Sequence, residues 1–164
     1  MTTAVMPLIP PVCVSIVVNA TPELAFRVYT EELDSWWPKS HHIGQSAMTR
    51  AVMEPGVNGR VYSEQEDGGS VQWGKVLEWD PPRRFVMAWQ ITPRWQFEPD
   101  GAKCSEVEVS FTAQPDGQTL VALEHRHFER HGEGSATMRS QVGNEAGGWG
   151  LLMQLFKAKT EAVR

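Results

Sequence analysis

The spacing of apolar and polar residues changes character twice along this chain, dividing it into a mixed opening, a long strand-like middle and a helical end. Residues 12–18, Val-Cys-Val-Ser-Ile-Val-Val, are rich in β-branched side chains, which suit the pleat of a strand and predict one there. Thr21-Pro22 follows. The threonine oxygen can cap free helix N–H groups and the proline has no N–H to waste, so a helix is expected to begin here. Its apolar positions Ala25, Phe26, Tyr29 and Leu33 recur at helical spacing. Trp36-Trp37-Pro38 must end it, because proline cannot continue the hydrogen-bond ladder and restricts the residue before it. The length of the segment predicts two short helices with a bend around residues 30–33.

From residue 47 to 128 the helical period is absent. Turn chemistry at Pro55-Gly56 and Asn58-Gly59, Asp67-Gly68-Gly69, Asp80-Pro81-Pro82, Pro99-Asp100-Gly101 and Pro115-Asp116-Gly117 divides the region. Strands are predicted at 47–54, 60–66, 70–79, 84–92, 105–114 and 118–128, and tight turns between successive strands imply an antiparallel meander. Alternation is cleanest in the fifth of these, with Val107, Val109 and Phe111 on one face and Glu106, Glu108 and Ser110 on the other. In the sixth, Val121, Leu123, His125 and His127 fall on one side, and Ala122, Glu124 and Arg126 on the other.

Beyond residues 132–135 the helical period returns. Met138, Val142, Trp149, Leu152, Met153 and Phe156 form one stripe of a helix expected to run to about residue 160. Gly143, Gly147, Gly148 and Gly150 fall inside it, each about 1 kcal/mol less favourable in a helix than alanine. Such a stretch either passes close to another part of the chain or kinks. The order of elements predicts an α+β fold: a curved antiparallel sheet of about six or seven strands wrapped around a long C-terminal helix, with two short helices after the first strand. A bent sheet around one helix leaves a concave, mostly apolar space, the kind of space in which small ligands bind. One domain over residues 12–162 and an N-terminal tail over 1–11 are expected.

Composition narrows the function. The formal net charge of −5 argues against a nucleic-acid partner, which needs a basic face, and against attraction to an anionic membrane. There is no apolar run long enough to insert into a bilayer, and residues 1–11 lack the positive start of a signal peptide, so a cytoplasmic setting is expected. The two cysteines, Cys13 and Cys104, form no C-x-x-C pair and fit a reduced compartment. Seven tryptophans against two tyrosines suggest large rigid walls around something, although core packing is the competing reading for any one of them.

Several patches carry a resemblance. Ala25-Phe26 to Tyr29-Thr30 with Trp36-Trp37-Pro38, then Glu54-Pro55-Gly56-Val57-Asn58-Gly59-Arg60, the run from Trp73 to Pro82, Leu123-Glu124-His125-Arg126 and Gly148-Trp149 together resemble proteins like the activator of heat-shock-protein-90 ATPase. That family lies in the SRPBCC group. The resemblance implies the helix-grip fold of START lipid-transfer domains and the birch pollen allergen. Its fold-mates include lipid carriers, hormone receptors, polyketide cyclases and a chaperone co-activator, so fold alone does not choose a function. The activator pairs this domain with a separate N-terminal one, which is not expected within these 164 residues.

The expected function is non-catalytic binding or transport of a hydrophobic small molecule. A cyclase- or dehydratase-type enzyme using a pocket histidine is the alternative, and a chaperone-interacting module a further one. The expected wall comprises Trp37 after the short helices; Met53, Trp73, Trp89, Val109, Phe111, Leu123 and His125 on the sheet; and Val142, Trp149, Leu152 and Met153 on the last helix. His125 is the polar point on this wall, a ligand anchor or a general acid or base. His125, His127 and His131 have no cysteine or carboxylate at a recognised metal-ligand spacing, so no metal, no cofactor and no catalytic residue is assigned. His41-His42 are expected on the surface, with the cavity mouth as the alternative place. Glu124 and Arg126 are expected to form a solvated pair on the outer face, and Glu54 and Arg60 either pair across a hairpin or place a charge at the pocket rim. A homodimer is left open.

Overall fold

Alternation in two neighbouring strands sets the inside and outside of this molecule. In β6 (Ser105–Ala113) and β7 (Thr119–Arg126) the odd-numbered side chains are buried through Phe111 and through His125, and the intervening ones are half-buried. Val107 faces His125, Val109 faces Leu123 and Phe111 faces Val121 across the pair, so one side of the sheet is a continuous apolar wall. The computed structural model describes residues 9–163, and the tail expected over residues 1–11 lies outside the described residues as far as residue 8.

The remaining strands are β1 (Val12–Val18), β2 (Met48–Met53), β3 (Arg60–Gln65), β4 (Ser70–Asp80) and β5 (Arg84–Trp89). All pair antiparallel in one sheet of order β1-β7-β6-β5-β4-β3-β2, so the first strand closes onto the last. Register shifts interrupt the β2–β3, β3–β4 and β4–β5 ladders, and each such bulge bends the sheet further. The curve wraps around α3 (Trp149–Val163), whose Trp149, Leu152, Met153 and Phe156 are buried. This is the expected α+β helix grip.

Helix α1 (Pro22–Thr30) is capped by the Thr21 hydroxyl, which accepts from the Leu24 N–H at 3.2 Å. A 3₁₀ turn at Leu33–Ser35 follows, so the segment bends after Thr30 as its length required. Phe26 and Tyr29 of α1 pack edge-on against Phe111, and Tyr29 meets Phe156 of α3 at 4.8 Å between ring centres.

Three expectations are corrected. The last helix is not continuous: α2 (Ser135–Val142) ends at Gly143, and α3 begins only at Trp149. The chain turns so tightly between them that a Cβ on Gly148 would stand 2.2 Å from the Val142 carbonyl oxygen. The strand expected over 118–128 stops at Arg126, because His127 adopts a left-handed backbone (φ 65°) and leaves the ladder. His125 and His127 are therefore not neighbours on one strand face. Likewise the strand expected over 84–92 ends at Trp89, and Ile91 instead makes a short bridge to Phe97.

On the outer face Arg126 pairs with Glu106 at 3.3 Å and with Glu108, not with Glu124. Directly opposed cross-strand residues lie closer than i, i+2 neighbours along a strand, so Arg126 reaches across to β6. Arg84 extends the ladder to Glu108 at 2.9 Å and to Glu78 at 3.0 Å. Glu54 and Arg60 do pair across their hairpin, at 2.9 Å. Among the described residues no helix is long and apolar enough to cross a membrane.

Candidate functional site: a tryptophan-walled cleft

The helix break before α3 lies at one end of the space between helix and sheet. Trp37, after the 3₁₀ turn, lies nearly parallel to Trp73 of β4, with ring centres 5.0 Å apart and planes 27° apart. Trp89 of β5 meets Trp73 edge-on at 5.8 Å, and Trp149 at the start of α3 meets Trp89 at 5.5 Å and Trp37 at 6.1 Å. These four indoles come from four separate segments and close a ring of aromatic surface. With Ile91, Val142 and Leu152 they form the buried part of a cleft of about 420 Å³. That volume is within the range typical of small-molecule sites.

Ser40, Trp95, Gln141, Asn144 and Gly147 line the same cleft and are exposed, so they form its mouth. His41 and His42 also line it, half-buried, which is the second of the two places expected for them. His41 Nε2 lies 2.8 Å from the Gly147 carbonyl oxygen, tying the loop after Pro38 to the turn between α2 and α3. Trp95 stands at the tip of a small hairpin with φ 61°, a backbone state that a bulky side chain rarely adopts. Its turn is held by the Thr92 hydroxyl, which accepts from the Arg94 and Gln96 N–H groups.

Of the expected wall, Trp37, Trp73, Trp89, Val142, Trp149 and Leu152 line the cleft. Met53, Val109, Phe111, Leu123, His125 and Met153 are buried in the packed core and do not line it. Ile91, Trp95 and Asn144 were missed. The Thr92-Pro93 pair carried a usable signal, since proline inside a strand pattern argues that the strand has already ended.

His125 does point inward, fully buried, but it sits behind the tryptophans. The Trp149 indole N–H, which can only donate, bonds to His125 Nδ1 at 3.0 Å. The neutral ring must then carry its proton on Nε2, which donates to Ser105 Oγ at 2.8 Å. The Ser105 hydroxyl in turn donates to His131 Nε2 at 2.7 Å. Burial, and secondarily the neighbouring His131, hold His125 well below the ordinary imidazole value. Burial also lowers His131, against an opposing pull from Glu98. Both rings are thus neutral, and each hydrogen bond in the chain has one direction. Neither nitrogen of His125 is free for a ligand; its role here is to hold the Trp149 wall in place.

No carboxylate pairs with His125, and among the described residues no group of three or more His, Cys, Asp or Glu side chains stands together to hold a metal ion. Cys104 is buried, and desolvation with nearby Glu98 and Asp100 pushes its thiol up to about 11, so it is not a nucleophile at neutral pH. What the cleft offers is flat aromatic surface with a few polar points at its floor and mouth.

A curled seven-stranded sheet gripping a C-terminal helix, with a cleft at one end, is the helix-grip class of fold. Within that class, residues 19–159 match the family described as "Activator of Hsp90 ATPase homolog 1-like protein", and the chain belongs to it. Among solved structures it is 38% identical to an anthrahydroquino-γ-pyrone synthase, Txn09, complexed with SUM; the TM-score is 0.65 over 93% of this chain and 99% of that one. It is 27% identical to CalC, a self-sacrificing resistance protein from Micromonospora echinospora, with a TM-score of 0.68 over 94% and 96% of the two chains. Protein NE0264 from Nitrosomonas europaea, at 14% identity and a TM-score of 0.67 over 94% and 96%, shares the fold alone. No curated protein matches the chain.

Proposed function

We propose that this chain binds a planar, polycyclic aromatic small molecule in the tryptophan cleft. The observation that carries this reading is the set of four indoles, two nearly parallel and two edge-on, in the wall of one cleft. Flat rings gain from offset stacking and edge contacts with such walls, whereas a flexible acyl chain loses rotamer entropy and gains no such geometry. The likeness to a synthase whose name specifies an anthrahydroquinone-derived product supports the same ligand class. Calorimetric titration with anthracene-2-sulfonate and with laurate tests it. Micromolar binding of the aromatic, at least about tenfold tighter than laurate, is expected, equivalent to about 1.4 kcal/mol. Tighter binding of laurate would overturn it.

A second reading is favoured by the 38% identity to that synthase over nearly both whole chains: closure of an oxygen ring on the bound aromatic. In such a closure a phenolic oxygen attacks a ketone carbon and its proton is removed. The former carbonyl oxygen takes up one proton in exchange for the phenolic one, and a second in exchange for the proton lost from the neighbouring CH2 carbon, so that it leaves as water while the ring double bond forms. His42, in the cleft wall with an imidazole Nδ1 that has no partner among the described residues, is the group able to move these protons. The conversion of 2'-hydroxydibenzoylmethane to flavone and water reads this directly by absorbance. Acceleration over buffer that His42→Ala abolishes supports ring closure; no acceleration leaves binding as the function.

A further inference from the structure

Trp36, Trp37, Trp73, Trp89 and Trp149 are all buried, and an indole N–H is a donor that must find an acceptor or carry a penalty. Four of the five are satisfied. Trp36 donates to the Val28 carbonyl at 3.0 Å, Trp37 to the His41 carbonyl at 2.9 Å, Trp73 to Ser63 Oγ at 3.1 Å and Trp149 to His125 Nδ1 at 3.0 Å. Trp89 is the exception. It is 4% exposed, it lines the cleft, and its Nε1 has no partner among the described residues.

Two polar side chains beside it in the fold are hydrogen-bonded to other groups. Ser105 lies opposite Trp89 in the β5–β6 register, but its hydroxyl accepts from His125 and donates to His131. His125, 5.2 Å from Trp89 between ring centres, uses both nitrogens. Rotating any of them toward Trp89 would orphan another buried group. Trp89 is itself part of the cleft wall, and no described group accepts from its N–H.

We infer that the Trp89 N–H donates a hydrogen bond to a carbonyl-type oxygen of the bound aromatic molecule, which makes the ligand class a quinone or aryl ketone. This rests on the aromatic-binding reading above and names the polar group such a ligand must carry. An aromatic hydrocarbon or an ammonium group cannot accept from Trp89, and would leave its N–H buried and unpaired. His42 Nδ1 is the second unpaired polar atom on the same wall, and it can meet a hydroxyl on the same ring system.

Two probes separate the outcomes: anthraquinone-2-sulfonate and anthracene-2-sulfonate, which share size, shape and charged tail and differ in the two carbonyl oxygens. By calorimetry the quinone is expected to bind the wild-type chain about tenfold tighter, the discrimination of one good hydrogen bond. Trp89→Phe, which keeps an aromatic ring and removes the N–H, is expected to bring the ratio of the two affinities to about one, whatever loss of binding the smaller ring causes to both probes alike. Independently of any variant, the Trp89 indole N–H resonance of the wild-type protein should move downfield on adding the quinone and not on adding the hydrocarbon. If both probes bind the wild type equally, or the resonance responds to neither, the Trp89 inference is wrong and the aromatic cleft stands. If neither probe binds, the aromatic-binding reading falls and this inference with it.

Discussion

Replacing Ser105 with alanine cuts the hydrogen-bond chain that braces the cleft wall at its middle. The hydroxyl accepts from His125 Nε2 and donates to His131 Nε2, at 2.8 and 2.7 Å. The two ends respond differently. His131 is only half-buried, so water can replace the serine at its nitrogen at little cost. His125 has no exposed surface, so its Nε2–H is left without an acceptor. The ring cannot escape by moving its proton to Nδ1, because the Trp149 N–H already points at that atom. One fully orphaned buried donor costs about 1–3 kcal/mol, and about 2 kcal/mol corresponds to a fall in Tm of roughly 4–8 °C for a chain of this length. Urea denaturation followed by tryptophan fluorescence gives the free energy, and long-range ¹H–¹⁵N spectra give the His125 tautomer. A loss within 0.5 kcal/mol of zero, or a wild-type His125 protonated on Nδ1, would refute the chain as described.

Three further outcomes follow from the same structure. Because His125 and His131 are held below the ordinary value of 6.5, the unfolded chain takes up their protons first. Stability should therefore be full above about pH 6.5 and fall as pH drops below it, by up to about 1.4 kcal/mol per pH unit for each ring, until the folded rings protonate; denaturation midpoints from pH 8 to 5 check this. Glu108, kept low first by its hydrogen bond from Arg126, adds its own loss only below its ordinary 4.5, so its loss begins at a lower pH than that of the histidines. Gly148→Ala, whose Cβ would meet the Val142 carbonyl oxygen at 2.2 Å, should destabilise by about 1–3 kcal/mol and shift the Trp149 ring, measured by urea denaturation and near-ultraviolet circular dichroism. Trp95→Gly removes a strained left-handed aromatic from the cleft mouth, so the Tm should hold or rise while aromatic ligands bind more weakly; a lower Tm would show that Trp95 packs for stability rather than for binding.

Much of the frame was legible one residue at a time. Thr21-Pro22 marks a helix start wherever it is placed, and β1 was bounded by its β-branched run alone. Period-two alternation in β6 and β7 sorted Val107, Val109, Phe111, Leu123 and His125 to the inside, because facing is a local property of an extended backbone. The glycines at 143, 147 and 148 signalled trouble in the last helix, but their spacing could not say whether the chain would pass close to a neighbour or break; tertiary contact chose the break.

Depth was not legible. Alternation says that His125 points inward, yet not what stands in front of it, and it is Trp149, from a helix that begins more than twenty residues later, that takes its nitrogen and screens it from the cleft. Phe111 shares that fate, facing inward but covered by Phe26 and Tyr29 of α1, and Leu123 is likewise buried away from the cleft. The cleft itself exists only because Trp37, Trp73, Trp89 and Trp149 converge from a loop, two strands and a helix. Periodicity along a chain fixes which way a side chain faces; whether it meets solvent, ligand or another side chain depends on what distant segments bring against it, and only the closed fold decides that.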